Sequence, residues 1–117
     1  MSAVNIDLSY LNTISGGDVE FVKELLGMFL TASQEEVGNI EKHYQNNALS
    51  DMSNSAHKIK APIQMLGENT LADLVIKIEY IGKHHEGVDQ VPVLIEQLKQ
   101  HLANVLVEVE QILNTLK

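Results

Sequence analysis

His57 and Lys60 stand three residues apart in the string SNSAHKIKAPIQMLG, which puts them one turn apart on one face if that stretch is helical. An exposed imidazole is largely neutral at pH 7 and offers a nucleophilic lone pair. To attack phosphorus through one ring nitrogen, the other must hold the proton, and an acceptor that orients the ring fixes that tautomer. An ammonium group one turn on can lie over phosphoryl oxygens as charge develops on them. Ala61 is small, so a partner can approach the ring closely. The competing reading is that an exposed helical histidine is ordinary surface composition. His43, His84, His85 and His101 are read in that way. His84 and His85 are adjacent loop residues without spaced ligand partners, and His101 is flanked by core positions as a half-buried structural residue.

The elements that must position His57 follow from apolar spacing. Apolar residues recur at three and four throughout, the helical period, and no alternating strand-like run is bounded by turn signals. Five helices are expected. A short one covers Leu8 to Ile14 and is broken by Gly16-Gly17. Asp18 caps the second, which carries Val22, Leu25, Leu26, Phe29, Val37, Ile40 and Tyr44, is expected to bend near Ser33 or Gly38, and ends at Asn46-Asn47. The third runs from about Ala48 to Leu66, with Gly67 at its C′ position. Asn69 caps the fourth, whose core residues are Leu71, Leu74, Val75, Ile78 and Ile81. Gly82 to Gly87 reads as a loop. Asp89 caps the fifth, with Pro92 in its first turn and a stripe of Leu94, Leu98, Leu102, Val105, Val109, Ile112 and Leu116. Short loops between long amphipathic helices predict an all-α, antiparallel up-down-up-down four-helix bundle with a short additional N-terminal helix as a lid.

On the third helix the apolar seam is Leu49, Met52, Ala56, Ile59, Ile63 and Leu66. At about 100° per residue His57 falls roughly 140° from the centre of that seam, so it points away from the core. Lys60, Ala61 and Gln64 share its side, as do Ser53 and Asn54 one turn earlier. The acidic charge that dominates the protein is missing from this patch. Pro62 frees the carbonyl of Lys58 and clashes with that turn. The seam continues beyond it, which predicts a kinked rather than a terminated helix.

The 117 residues fit one domain, 1–117, long enough for a core without staples. Cysteine is absent, which excludes disulfides and thiolate metal sites. No apolar run is long enough to span a membrane and no signal peptide opens the chain, so a cytoplasmic protein is expected. The 16 acidic residues outnumber 8 basic ones, all lysine, for a formal charge of −8. That balance argues against nucleic acid or an anionic membrane as partner. Without arginine, the usual bidentate phosphate anchor, phosphate chemistry here rests on lysine, backbone or a partner's groups.

At these residues the chain resembles the histidine-containing phosphotransfer (HPt) family. That family's signature is a histidine, an apolar residue two on, a lysine three on, small residues next and a glycine ten on. Here these are His57, Ile59, Lys60, Ala61 and Gly67. GGDVEFVKELLGMFL looks like the family's second-helix opening. ENTLADLVIKIEYIGK looks like the helix after the active one, ending in the pair Ile78-Glu79. The resemblance covers about residues 10 to 115. It implies that Glu79 orients the ring of His57, since a glutamate or glutamine of the next helix commonly does so in the family; from spacing alone Glu79 lies about 100° from its helix's apolar centre, at an edge, and reads as readily as a solvated carboxylate. The sequence departs from the family in Ala61, where glycine is usual, and in Pro62.

The resemblance further implies a phosphoryl carrier rather than a free-standing enzyme. His57 accepts a phosphoryl group on Nε2 from a receiver-domain phospho-aspartate and passes it to another receiver. It implies no cofactor of its own, with Mg²⁺ supplied by the receiver. Partners are receiver domains of hybrid sensor kinases and response regulators, and the chain is expected to be a monomer. The start at Met1 favours a free-standing protein. Docking is expected over Ala61, Gln64 and Ser53 together with Leu11, Ile14 and Met28. Two other readings stand beside it. One is a helical adaptor that binds signalling partners without phosphorylation, for which Ala61-Pro62 speaks. The other is a metal-binding bundle, which lacks the repeated Glu-x-x-His pairs that di-iron bundles use.

Overall fold

The computed structural model describes residues 6–116 as five α-helices: α1 (Ser9–Ser15), α2 (Val19–Gln45), α3 (Leu49–Met65), α4 (Asn69–His84) and α5 (Val91–Thr115), the last preceded by a short 3₁₀ turn at Val88–Gln90. α3 lies against both α2 and α4, α5 lies against the same two helices, and α1 rests on α2. The four long helices therefore form an antiparallel up-down-up-down bundle with a short additional N-terminal helix. No helix among the described residues is long and apolar enough to cross a membrane.

The helix ends follow from local chemistry. The Asp18 carboxylate accepts hydrogen bonds from the backbone N–H groups of Glu20 and Phe21, satisfying two of the orphan donors that open α2. Gly67 follows α3 at φ +68°, the left-handed conformation that glycine adopts without penalty. Pro92 sits in the first turn of α5, where its missing N–H costs nothing. α2 runs unbroken through Ser33 and Gly38, and the Ser33 hydroxyl donates to the Phe29 carbonyl one turn back, which satisfies it within the bundle interior.

The core is the expected one. Met52, Ala56, Ile59, Ile63 and Leu66 of the α3 region are buried, as are Leu71, Leu74, Val75, Ile78 and Ile81 of α4 and Leu94, Leu98, Leu102, Val105 and Val109 of α5. Leu49, Ile112 and Leu116 are only half-buried at the margins. Burying each such aliphatic side chain stabilises the bundle by about 1.5–3 kcal/mol. α3 continues through Pro62 for three more residues, to Met65. The apolar pair Ile63 and Leu66, both anchored in the core, outweighs the one backbone hydrogen bond that proline removes.

Three expectations about helix ends are corrected. α4 is capped by Glu68, whose carboxylate accepts from the N–H groups of Thr70 and Leu71, and Asn69 is its first helical residue. α4 also extends to His84, through the stretch Gly82 to His84 read as loop. Gly82 is buried there, and a Cβ on it would meet the Leu49 carbonyl oxygen at 2.6 Å and Ser53 Cβ at 2.9 Å. This glycine marks a close approach of two helices rather than a turn. Asp89 lies within the 3₁₀ turn and α5 opens after Gln90 without a side-chain cap.

Glu68 ties the fold together beyond its capping role. It is buried, and its Oε1 also meets Nε2 of the half-buried His101 of α5 at 3.0 Å. His101 is thus the structural residue its flanks suggest. Replacing Glu68 with alanine removes the α4 cap and this cross-bundle contact. We expect a loss of about 2 kcal/mol in chemical denaturation, above the roughly 1 kcal/mol of an isolated cap. Asn69→Ala is expected to leave stability within about 0.5 kcal/mol.

Candidate functional site

α3 presents His57 to solvent with 67% of its side chain exposed. Lys60, one turn on, is 27% exposed. α4 lies alongside α3 and contributes Glu79, whose side chain is 18% exposed. The carboxylate bridges both partners: Oε2 lies 2.7 Å from His57 Nδ1 and Oε1 accepts from Lys60 Nζ at 2.8 Å. Sequence spacing alone left Glu79 at the edge of its helix; the packing of α4 on α3 turns that edge toward His57.

Two features hold Glu79 there. The Ser53 hydroxyl of α3 donates to the Glu79 backbone carbonyl at 3.0 Å. Three residues further along α4, Gly82 admits the α3 backbone at Leu49 and Ser53. The two helices approach closely just where the acceptor must reach the ring. Ser53 is consequently buried, with its hydroxyl committed, and Leu11 is 1% exposed inside the core. Both nonetheless line surface depressions, Ser53 beside His57 and Leu11 in an apolar cleft. Ala61, Gln64, Ile14 and Met28 are exposed, as docking would require.

Electrostatics keeps the Glu79 carboxyl ionised. Burial pushes the Glu79 carboxyl up, but the hydrogen bonds and positive charge of Lys60 and His57 outweigh it and hold it below the ordinary carboxylate value. An ionised carboxylate only accepts hydrogen bonds. It therefore favours the tautomer with hydrogen on Nδ1, leaving the Nε2 lone pair free. A carboxyl depressed by folding adds stability that is present above its ordinary value and lost as pH falls through the depressed one. The stability advantage of wild type over Glu79→Gln is accordingly expected to shrink as pH falls below about 4, which thermal denaturation between about pH 5 and about pH 2 would measure.

A shallow surface depression holds His57 and Glu79 together with Ser50, Asn54 and Lys83. Lys83 was not anticipated, although its position four after Glu79 on α4 places it on the same helix face. No ion pair engages it among the described residues, whereas Lys60 is bound to Glu79 and Lys58 lies 3.9 Å from Glu36 of α2. Lys83 thus lines the depression beside His57, and Lys60 holds the half-buried Glu79 from its other oxygen. On the other flank of α3, Leu25, Met28 and Ala32 of α2 face Pro62 and Met65 across an apolar cleft. No cluster of three or more potential metal ligands occurs among the described residues.

With this geometry in place, comparison with protein families matches residues 24–108 to the Hpt domain, and the chain belongs to that family. Its backbone is similar to the crystal structure of histidine-containing phosphotransfer protein B from Pseudomonas aeruginosa PAO1, with a TM-score of 0.87 at 22% sequence identity over 99% of this chain and 100% of that one. At that identity the likeness establishes the fold. Comparison with curated protein sequences gives no match.

Proposed function

We propose that this chain is a phosphoryl carrier in a multistep two-component phosphorelay, with His57 Nε2 as the acceptor. The observation that carries the reading is the ionised Glu79 carboxylate, hydrogen-bonded at once to His57 Nδ1 and to Lys60, beneath a ring left 67% exposed. The bond that forms is Nε2–P; the bond that breaks is the P–O bond of a receiver phospho-aspartate, whose carboxylate leaves. Onward transfer is the reverse step toward another receiver's aspartate. Lys60 and Lys83 offer positive charge to the phosphoryl oxygens as they pass between the two sites. Mg²⁺ belongs to the receiver, whose acidic pocket supplies the metal and the rest of the transition-state stabilisation.

The partners are receiver domains of hybrid sensor kinases and of response regulators, met in the cytoplasm by a monomer in which residues 1–117 form one domain. Docking uses the exposed ring, Ala61 and Gln64, with Ile14, Met28 and the apolar cleft between α2 and α3 as the greasy part of the face. Ala61 and Pro62 do not favour a phosphate-free adaptor, because α3 continues past both and the ring keeps its acceptor. Incubation with phosphorylated receivers tests the reading. The label should move to this chain and be acid-labile and base-stable. No transfer from any receiver, with the protein folded, would contradict it.

A further inference from the structure

Glu79 is a carboxylate where an amide would suffice to orient a ring, and that difference has a chemical consequence. In its nucleophilic form the ring carries its proton on Nδ1 and leaves the Nε2 lone pair free. When the Nε2 lone pair bonds to phosphorus, that proton remains and the ring becomes a phosphorylated imidazolium. If the proton is then lost to solvent, cleavage of the N–P bond must expel an imidazolide anion, a poor leaving group. If the proton is kept, the ring departs as neutral imidazole.

The surroundings oppose retention except at one point. Lys60 shares Glu79 with the ring and Lys83 lines the same depression, while Lys58 is turned toward Glu36 of α2; Ser50, Ser53 and Asn54 around the depression are neutral. Glu36 of α2 faces Lys58 at 3.9 Å rather than the ring. Among the described residues only Glu79 sets a negative charge against Nδ1, at 2.7 Å. It is held in place by the Lys60 ammonium on its other oxygen and by Ser53 on its carbonyl. A direct charge-assisted hydrogen bond of that length outweighs lysines whose charge is shared with Glu36 or spread into solvent.

We propose that Glu79 keeps Nδ1 of phosphorylated His57 protonated, so that the imidazole leaves as a neutral molecule and onward transfer stays fast at neutral and mildly alkaline pH. The inference rests on the carrier reading above and assigns Glu79 a role in the leaving step, separate from orienting the nucleophile. An opposite charge in direct hydrogen-bond contact with Nδ1, here at 2.7 Å, favours the protonated ring.

The test compares wild type, Glu79→Gln and Glu79→Asp, each loaded from a phosphorylated receiver and chased with excess unphosphorylated receiver between pH 6 and pH 9. Using one receiver throughout cancels its own pH dependence in the ratio of rates. The ratio of wild type to Glu79→Gln should rise with pH, by about fivefold between pH 6 and pH 8. Glu79→Asp, which keeps the charge, should return the profile toward wild type. A ratio constant across pH would overturn the inference and leave Glu79 as a positioning residue alone. Failure of wild type to take up label at all would instead overturn the carrier reading and this inference with it.

Discussion

Replacing His57 with glutamine should abolish phosphoryl uptake completely while leaving the bundle intact. The ring is exposed and its one polar contact is with Glu79, to which a glutamine amide can still donate. Stability should therefore stay within about 0.5 kcal/mol of wild type, the usual range for surface substitutions. The other histidines cannot substitute. His101 is engaged by buried Glu68, and the His84 ring stacks against Tyr80 with centroids 4.3 Å apart. Among the described residues no carboxylate meets His43, His84 or His85, and the one that meets His101 is buried. Autoradiography of the variant with a competent phosphorylated receiver should show no signal, and residual label above a few per cent would mean that another residue carries it.

The second large effect concerns a residue that touches neither phosphate nor partner. Gly82→Ala should destabilise the fold and slow transfer together. Helix propensity alone favours alanine by about 1 kcal/mol. Against it stands a Cβ placed 2.6 Å from the Leu49 carbonyl oxygen and 2.9 Å from Ser53 Cβ. One of these atoms is backbone and the other is fixed to it, so the overlap is relieved only by moving α4 away from α3. Overpacking of this kind typically costs about 1–3 kcal/mol, and the net change should be a destabilisation of about 1–2 kcal/mol. The same movement lengthens the 2.7 Å contact between Glu79 and His57 and should lower the transfer rate about tenfold or more, as small misplacements of a catalytic group do. Gly38→Ala in α2 is the control, since a Cβ there meets nothing within 4 Å. It should stabilise the protein by about 0.5–1 kcal/mol without changing the rate. Denaturation midpoints and transfer rates of the pair give opposite signs if the close approach is what matters.

How much of this was legible in the sequence depends on the range of the interaction. The α3 seam and the outward direction of His57 follow from one helix's periodicity, and both hold in the folded bundle because the apolar residues of α3 have no other place to go. The Asp18 cap and the Gly67 terminus are likewise local. Glu79 was legible only through the family resemblance. Its own helix places it at an edge, and whether that edge faces α3 or solvent depends on how the two helices are rotated against each other. The burial of Ser53 is hidden for the same reason: on α3 alone it shares the side of His57, and the arrival of α4 at Gly82 leaves it nearly buried while still lining the depression. Gly82 itself reads as a loop signal, because a glycine that ends a helix and one that lets a second helix approach look alike in one chain. The lid helix lays Leu11 into the core, where it also lines the apolar cleft between α2 and α3. Glu68 displaced Asn69 as the α4 cap because a buried carboxylate that also meets His101 gains from both contacts.

The chemistry turns on which nitrogen of which histidine carries the phosphoryl group. Phosphorus–nitrogen coupling in NMR spectra of the ¹⁵N-labelled, phosphorylated protein reads this directly. The geometry predicts a single phosphohistidine at residue 57, coupled through Nε2, with Nδ1 still bearing its hydrogen at neutral pH. Coupling through Nδ1, or a phosphate seated on any other side chain, would contradict it.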